Sequence, residues 1–163
     1  MSSDSTTTTT PLHSSWSVRE ASGVDDAYYL MTKWHHYFDA AYDDTQLPPP
    51  LADVAGWIGE DDADVEAHGV IATHEPRGRD GTVDVGGGLV SIIDHEQCVE
   101  DLPDGHYSKS ALAGQRNAWL WFGTVDPAFR GRGIGRALFE ARLKWARAHG
   151  ADMVFALGWE RRE

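Results

Sequence analysis

The spacing of apolar residues changes several times along the chain, and each change marks an element. From Ala118 to Val125 the text AWLWFGTV is rich in aromatic and β-branched residues, the composition of a half-buried strand. Pro127 cannot donate to a sheet ladder, so this strand is expected to end at or before Asp126. From Ile134 the apolar residues fall at three- and four-residue steps: Ile134, Leu138, Ala141, Trp145 and Ala148 share one face of a predicted helix. Gly150 then stands where a left-handed helix end is favoured. Met153 to Leu157 is a short apolar run, predicted as a strand parallel to the first through a right-handed helical crossover.

Earlier segments follow the same logic. Trp16 to Ala21 alternates as a first strand does. Asp25 or Asp26 is placed to open a helix reaching about Tyr42, with Tyr29, Leu30, Trp34, Tyr37, Phe38 and Ala41 along its buried side. Three consecutive prolines, Pro48 to Pro50, break the chain before a short second helix at about Leu51 to Ile58. Asp64–His74 and Val83–Ile93 read as two strands, with hairpin chemistry in Arg77 to Gly81. Gly86 to Gly88 within the second of these signals a bulge or a close backbone approach. Asp94 to Asn117 is a long polar connection that either covers an active site or is disordered. Met1 to Ser15 is Ser/Thr-rich and is expected to be a disordered tail, leaving residues 16–163 as a single domain.

Composition narrows the function. At 163 residues, 41% of them hydrophobic, the chain is long enough for one sizeable core. A formal charge of −12 opposes binding to nucleic acid or to an anionic membrane surface, and weakly favours a cationic partner such as an amine. No run approaches the ~20 apolar residues that span a bilayer, and the start lacks a secretory pattern, so a cytoplasmic location is expected. The lone Cys98 excludes an intrachain disulfide and a multi-cysteine metal site. The adjacent His35 and His36 have no evident metal-binding partner, and no metal is expected. Lysine occurs only at Lys33, Lys109 and Lys144, a balance resembling that of proteins adapted to high salt.

The strongest chemical signal lies between the aromatic strand and its helix, in Arg130-Gly131-Arg132-Gly133-Ile134-Gly135-Arg136. Glycines let the backbone approach a ligand closely, and the first turn of a helix offers unpaired N–H donors at the positive end of its dipole. Three arginines add fixed charge. Together they describe a site for a di- or polyphosphate. The spacing matches neither a Walker loop nor a dinucleotide-binding fingerprint.

The stretch resembles motif A of the GNAT superfamily of N-acetyltransferases. Val125-Asp126-Pro127 ends the strand, Arg130-Gly131-Arg132-Gly133-Ile134-Gly135 forms the loop, and Leu138 follows in the helix. The resemblance implies an α/β fold with a mixed, mostly antiparallel sheet flanked by helices, and transfer of acetyl from acetyl-CoA to a small-molecule or peptide amine. The pyrophosphate of the coenzyme would rest on the amides from Arg130 to Arg136, with Arg132 and Arg136 candidates for direct contact. The pantetheine arm would run beside Gly123, Thr124 and Val125, and an N–H near Gly123 would polarise the thioester carbonyl. Tyr37, Tyr42 and Trp57 are candidates to line the acceptor pocket, core packing being the equal alternative.

Two departures from the family pattern bear on catalysis. Where one branch places a glutamate four residues before Gly123, this chain has Trp119. Asp94, Glu96 and His106 remain as weak candidates for the base, beside a water chain to a distant carboxylate. The family fold also continues past the fifth strand into a helix and two more strands, which the chain is expected to lack. The last strand would then have an open edge, through which a homodimer could form. A non-catalytic coenzyme-binding protein and a structural or dimerisation module are the alternatives to an active enzyme.

Overall fold

A computed structural model describes residues 15–39, 54–56, 58, 66–76, 80–93 and 114–156, without the side chains of 36–39. It contains a five-stranded sheet in simple sequence order: β1 (Trp16–Glu20), β2 (Ala67–His74), β3 (Val83–Ile93), β4 (Asn117–Val125) and β5 (Met153–Ala156). All neighbours are antiparallel except β4 and β5, which run parallel. Helix α1 (Gly23–Asp39) covers one face and α2 (Ile134–Ala148) the other. The α/β architecture, with its mostly antiparallel sheet, is the one the resemblance implied.

The two faces bury distinct cores. On the first, Leu30 and Trp34 of α1 pack against Ile71, Leu89 and Phe122, with Ile58 alongside. On the second, Ile134 and Leu138 of α2 meet Val70, Ala72 and Val85, while Ala146 meets Val90, Ala118 and Leu120. Helix α1 begins at Gly23, ahead of Asp25, and Asp26 accepts the Ser22 N–H at 2.8 Å, satisfying a donor just ahead of the first turn. The Arg19 guanidinium on that same carboxylate, at 2.5 Å, holds the Asp26 pKa below its ordinary value. Residues 54–56 are helical, as the short second helix required.

Helix α2 corrects one expectation. The fully buried line is Ile134, Leu138, Arg142 and Ala146, at four-residue steps. Ala141 and Trp145 are half-buried and Ala148 is exposed. A guanidinium therefore occupies a core position that the apolar pattern passed over. The helix ends as expected, with Gly150 at φ +73°. Strand β2 begins at Ala67, three residues later than the alternation suggested.

Candidate functional site

Strand β4 carries the site, and its two halves are built differently. Asn117 to Leu120 pair with β3 on one side and with Met153 to Ala156 of β5 on the other. From Trp121 onward, among the described residues, β4 keeps only the β3 partner. The register to β3 shifts between Leu89, opposite Phe122, and Val90, opposite Leu120, so Trp121 is an extra residue in a bulge. That residue is held firmly. Its indole N–H donates to Ser91 Oγ at 2.8 Å, and its ring lies 5.7 Å from that of Trp34.

The direction of the peptide groups beyond the bulge follows from one bond. Asp126 N–H donates to Val85 O at 2.9 Å. Peptide groups alternate sides along a strand, and the register from Phe122 to Val125 is unbroken. Phe122 and Thr124 therefore turn their N–H and C=O toward β3, and Gly123 and Val125 turn theirs to the opposite edge. At that edge Gly123 is exposed and Val125 half-buried. Among the described residues no strand lies along this edge, which leaves room for an extended, amide-bearing chain.

Beyond Val125 the chain makes a 3-10 turn, Pro127–Phe129, as the proline predicted. Phe129 N–H bonds Asp126 O, and Arg130 Nε donates to Val125 O at 3.1 Å, fastening the turn to the strand end. Gly131 and Gly133 then take φ +74° and +83°, a region costly to residues with a Cβ. Gly133 is the N-cap of α2, and no side chain caps the helix. Ala137 N–H, bonded to Gly133 O at 3.1 Å, makes the first intrahelical bond. Among the described residues, the amides of Ile134, Gly135 and Arg136 have no acceptor, and all the loop from Arg130 to Gly133 is exposed. Ile134 itself is buried and anchors the turn. Donors at the positive end of a helix, open to solvent and next to an unpaired strand, suit a phosphate-type anion joined to an extended arm.

The arginines contribute less directly than their number suggests. Arg132 donates to Ala128 O at 3.1 Å and lies 5.2 Å from the Phe129 ring, and Arg136 pairs with Glu140 at 2.7 Å, which raises its pKa. Beside the open half of β4, on the α1 face, Lys33 forms an ion pair with Asp126. Burial, with the Asp126 and Asp84 carboxylates adding, pushes the Tyr29 phenol up, so it stays protonated through the physiological range.

Asp94, Glu96, His106, Tyr42 and Trp57 lie outside the described residues; Tyr37 falls within α1, with its side chain undescribed. A group the sequence reading missed is Arg142, whose guanidinium lies buried beneath β4. The available signal was the i+4 step from Leu138 together with Gly88 and Gly123, which pair across β3 and β4. A cavity of about 370 Å³ lies elsewhere, between α2 and the β1–β2 pair, lined by Glu20, His68, Lys144 and Trp145 among others. Among the described residues, no helix is long and apolar enough to cross a membrane, and no cluster of three His, Cys, Asp or Glu is arranged to hold a metal.

Comparison with solved structures identifies the fold. An aminoglycoside N-acetyltransferase AAC(6')-Iy in complex with CoA is 21% identical with a TM-score of 0.59, over 93% of this chain and 82% of that one. A predicted acetyltransferase from Clostridium acetobutylicum with acetyl-CoA is 12% identical with a TM-score of 0.57, over 90% and 82%. A Trypanosoma brucei acetyltransferase is 20% identical with a TM-score of 0.53, over 90% and 85%. No curated protein sequence matches significantly. The profile of the acetyltransferase (GNAT) family matches residues 13–160, nearly the whole chain, and the chain belongs to that family.

Proposed function

We propose that the chain is an acetyl-CoA-dependent N-acetyltransferase acting on a small-molecule amine. The observation that carries this reading is the adjacency of an uncapped, glycine-lined helix start to a half-strand with outward-facing peptide groups. The amides of Ile134, Gly135 and Arg136 would receive the pyrophosphate. The peptide groups of Gly123 and the N–H of Val125 would bond the pantetheine arm, and the Gly123 N–H would polarise the thioester carbonyl. Acetyl-CoA supplies the acyl group: the acceptor nitrogen bonds the carbonyl carbon, the carbon–sulfur bond breaks with its electron pair passing to sulfur, and the amine proton leaves to base or water.

The residues of β4 from Ala118 to Val125 include no carboxylate, so the proton must leave by a group elsewhere or by solvent. The charge of −12 and the aminoglycoside acetyltransferases among the structural neighbours favour a cationic acceptor, with amino sugars first among those to test.

Calorimetry with CoA and acetyl-CoA, followed by thiol release with a panel of amines, tests the reading. Binding with thiol release above the water background is expected for at least one amine. Binding without turnover across the panel would favour a coenzyme-binding protein instead. Absence of binding would remove the reading altogether.

A further inference from the structure

Arg142 is a buried cation directly beneath the peptide that the proposed mechanism uses. It is 5% exposed and sits on the inner face of α2. Its Nε donates to Leu138 O at 3.2 Å, one turn back in the helix, and its Nη1 donates to Phe122 O. The space for it is made by two glycines that face each other across β3 and β4. A Cβ on Gly88 would stand 3.0 Å from the guanidinium carbon, and one on Gly123 would collide with Nη2. Any larger residue at either position would displace the group. Burying a guanidinium is costly unless it is well hydrogen-bonded, so its presence in a sheet–helix interface calls for an account beyond packing.

The Phe122 carbonyl and the Gly123 N–H are the two ends of one peptide unit. The carbonyl points toward β3 and receives the guanidinium, and the N–H points to the open edge. A charged donor on the carbonyl oxygen withdraws electron density from the amide and makes its N–H a stronger donor, an effect of about 10–30% per bond within a chain of hydrogen bonds. The second bond, from Nε to Leu138 O, anchors the guanidinium to its own helix, so the donor on the Phe122 carbonyl is held in place before any ligand arrives.

From this geometry we infer that Arg142 is a positioning residue for acyl transfer: it orients and polarises the Phe122–Gly123 peptide, so that the Gly123 N–H binds the thioester carbonyl more strongly as negative charge develops there. The inference rests on the acetyl-CoA reading above. It gives the glycine pair Gly88 and Gly123 a role in the reaction, as the hollow that admits the cation.

Isotope-edited infrared spectroscopy of the full chain with acetyl-CoA labelled with ¹³C at the acetyl carbonyl tests it, beside calorimetric titration of the same ligand. The bound carbonyl stretch is expected at lower frequency than in free acetyl-CoA. Arg142→Met should give back about a third of that displacement, with Kd changed only a little. Arg142→Lys, which keeps the charge but not the planar fork, should fall between. Where an amine acceptor is found, kcat should drop about tenfold in Arg142→Met with KM for acetyl-CoA nearly unchanged, less than the loss of a whole oxyanion donor.

Should Arg142→Met fail to fold, Gly88→Ala tests the same point from the neighbouring strand: its methyl would stand 2.9 Å from Phe122 O and 3.0 Å from the guanidinium, wedging the two apart, and the stretch should move in the same direction. A carbonyl stretch that is unshifted in the wild type, or equally shifted in wild type and in those variants that fold, overturns the inference and leaves coenzyme binding standing. Failure of the wild type to bind acetyl-CoA overturns both.

Discussion

The two halves of β4 are both mainly apolar and have opposite fates. Asn117 to Leu120 are buried between β3 and β5, every peptide group has a strand on either side, and Ala146 of α2 closes the face above. Five residues, Trp121 to Val125, continue the same strand with one neighbour fewer among the described residues, and there Gly123 is exposed. The bulge at Trp121 separates them. Helix α2 spans the same divide. Its last turns lie over the closed half, where the Trp145 ring is stacked between His68 at 5.4 Å and His149 at 4.0 Å. Its first turn, uncapped, lies beside the open half. One strand and one helix thus supply a closed, packed end and an open end where coenzyme binding is proposed.

The sharpest way to test this division is to truncate a side chain in each half. Leu120→Ala, in the closed half, is expected to cost about 2–5 kcal/mol of folding stability, read by urea denaturation. Thr124→Ala, in the open half, should cost no more than about 0.5 kcal/mol. Equal losses would mean that the open half is as much a part of the core as the other.

A smaller effect on folding and a larger one on binding are expected at the helix start. Gly133→Val places a β-branched residue at φ +83°, for about 1–3 kcal/mol of strain. Its side chain would project beside the amides proposed to hold phosphate. Calorimetry should show CoA affinity reduced about a hundredfold while the circular dichroism spectrum stays native. Unchanged affinity would take the coenzyme site away from the loop.

The smallest effect is electrostatic and belongs to the closed end. Burial lowers the His68 pKa from its ordinary 6.5, with nearby His149 acting in the same direction and Glu20 against it. A histidine with a depressed native pKa binds fewer protons folded than unfolded, so its contribution is complete above pH 6.5 and is lost as pH falls below it. Denaturation midpoints should fall from pH 7 to pH 5, and His68→Phe, which keeps a ring against Trp145, should flatten part of that slope. An unaltered slope would mean that other groups govern acid sensitivity.

Much of this division was legible beforehand because it rests on local rules. Pro127 ended β4, the arginine–glycine loop marked the start of α2, and Gly150 closed that helix with a positive φ. Gly86 to Gly88 signalled a bulge or a close approach, and the structure supplies three close approaches: Gly86 to the backbone of Thr124, Gly87 to Leu30, and Gly88 to Phe122 O and Arg142. Arg142 itself escaped notice because a charged residue in an amphipathic helix ordinarily marks the solvent side. Its burial depends on two strands brought together by tertiary pairing, which no helical period can report. The apolar stripe of the sequence runs through Ala141 and Trp145, one residue short of the buried Arg142 and Ala146. The ion pair of Lys33 with Asp126 escaped for a similar reason, since its partners stand 93 positions apart.

Guanidinium holds its proton throughout the range in which proteins stay folded. Whatever field Arg142 exerts on its peptide is therefore constant across acid and alkaline buffers. If the proposed acetyl transfer takes place, a bell-shaped or sigmoidal rate profile would report the ionisation of the acceptor amine and of the group that deprotonates it, with the anchored cation contributing a fixed offset to the barrier.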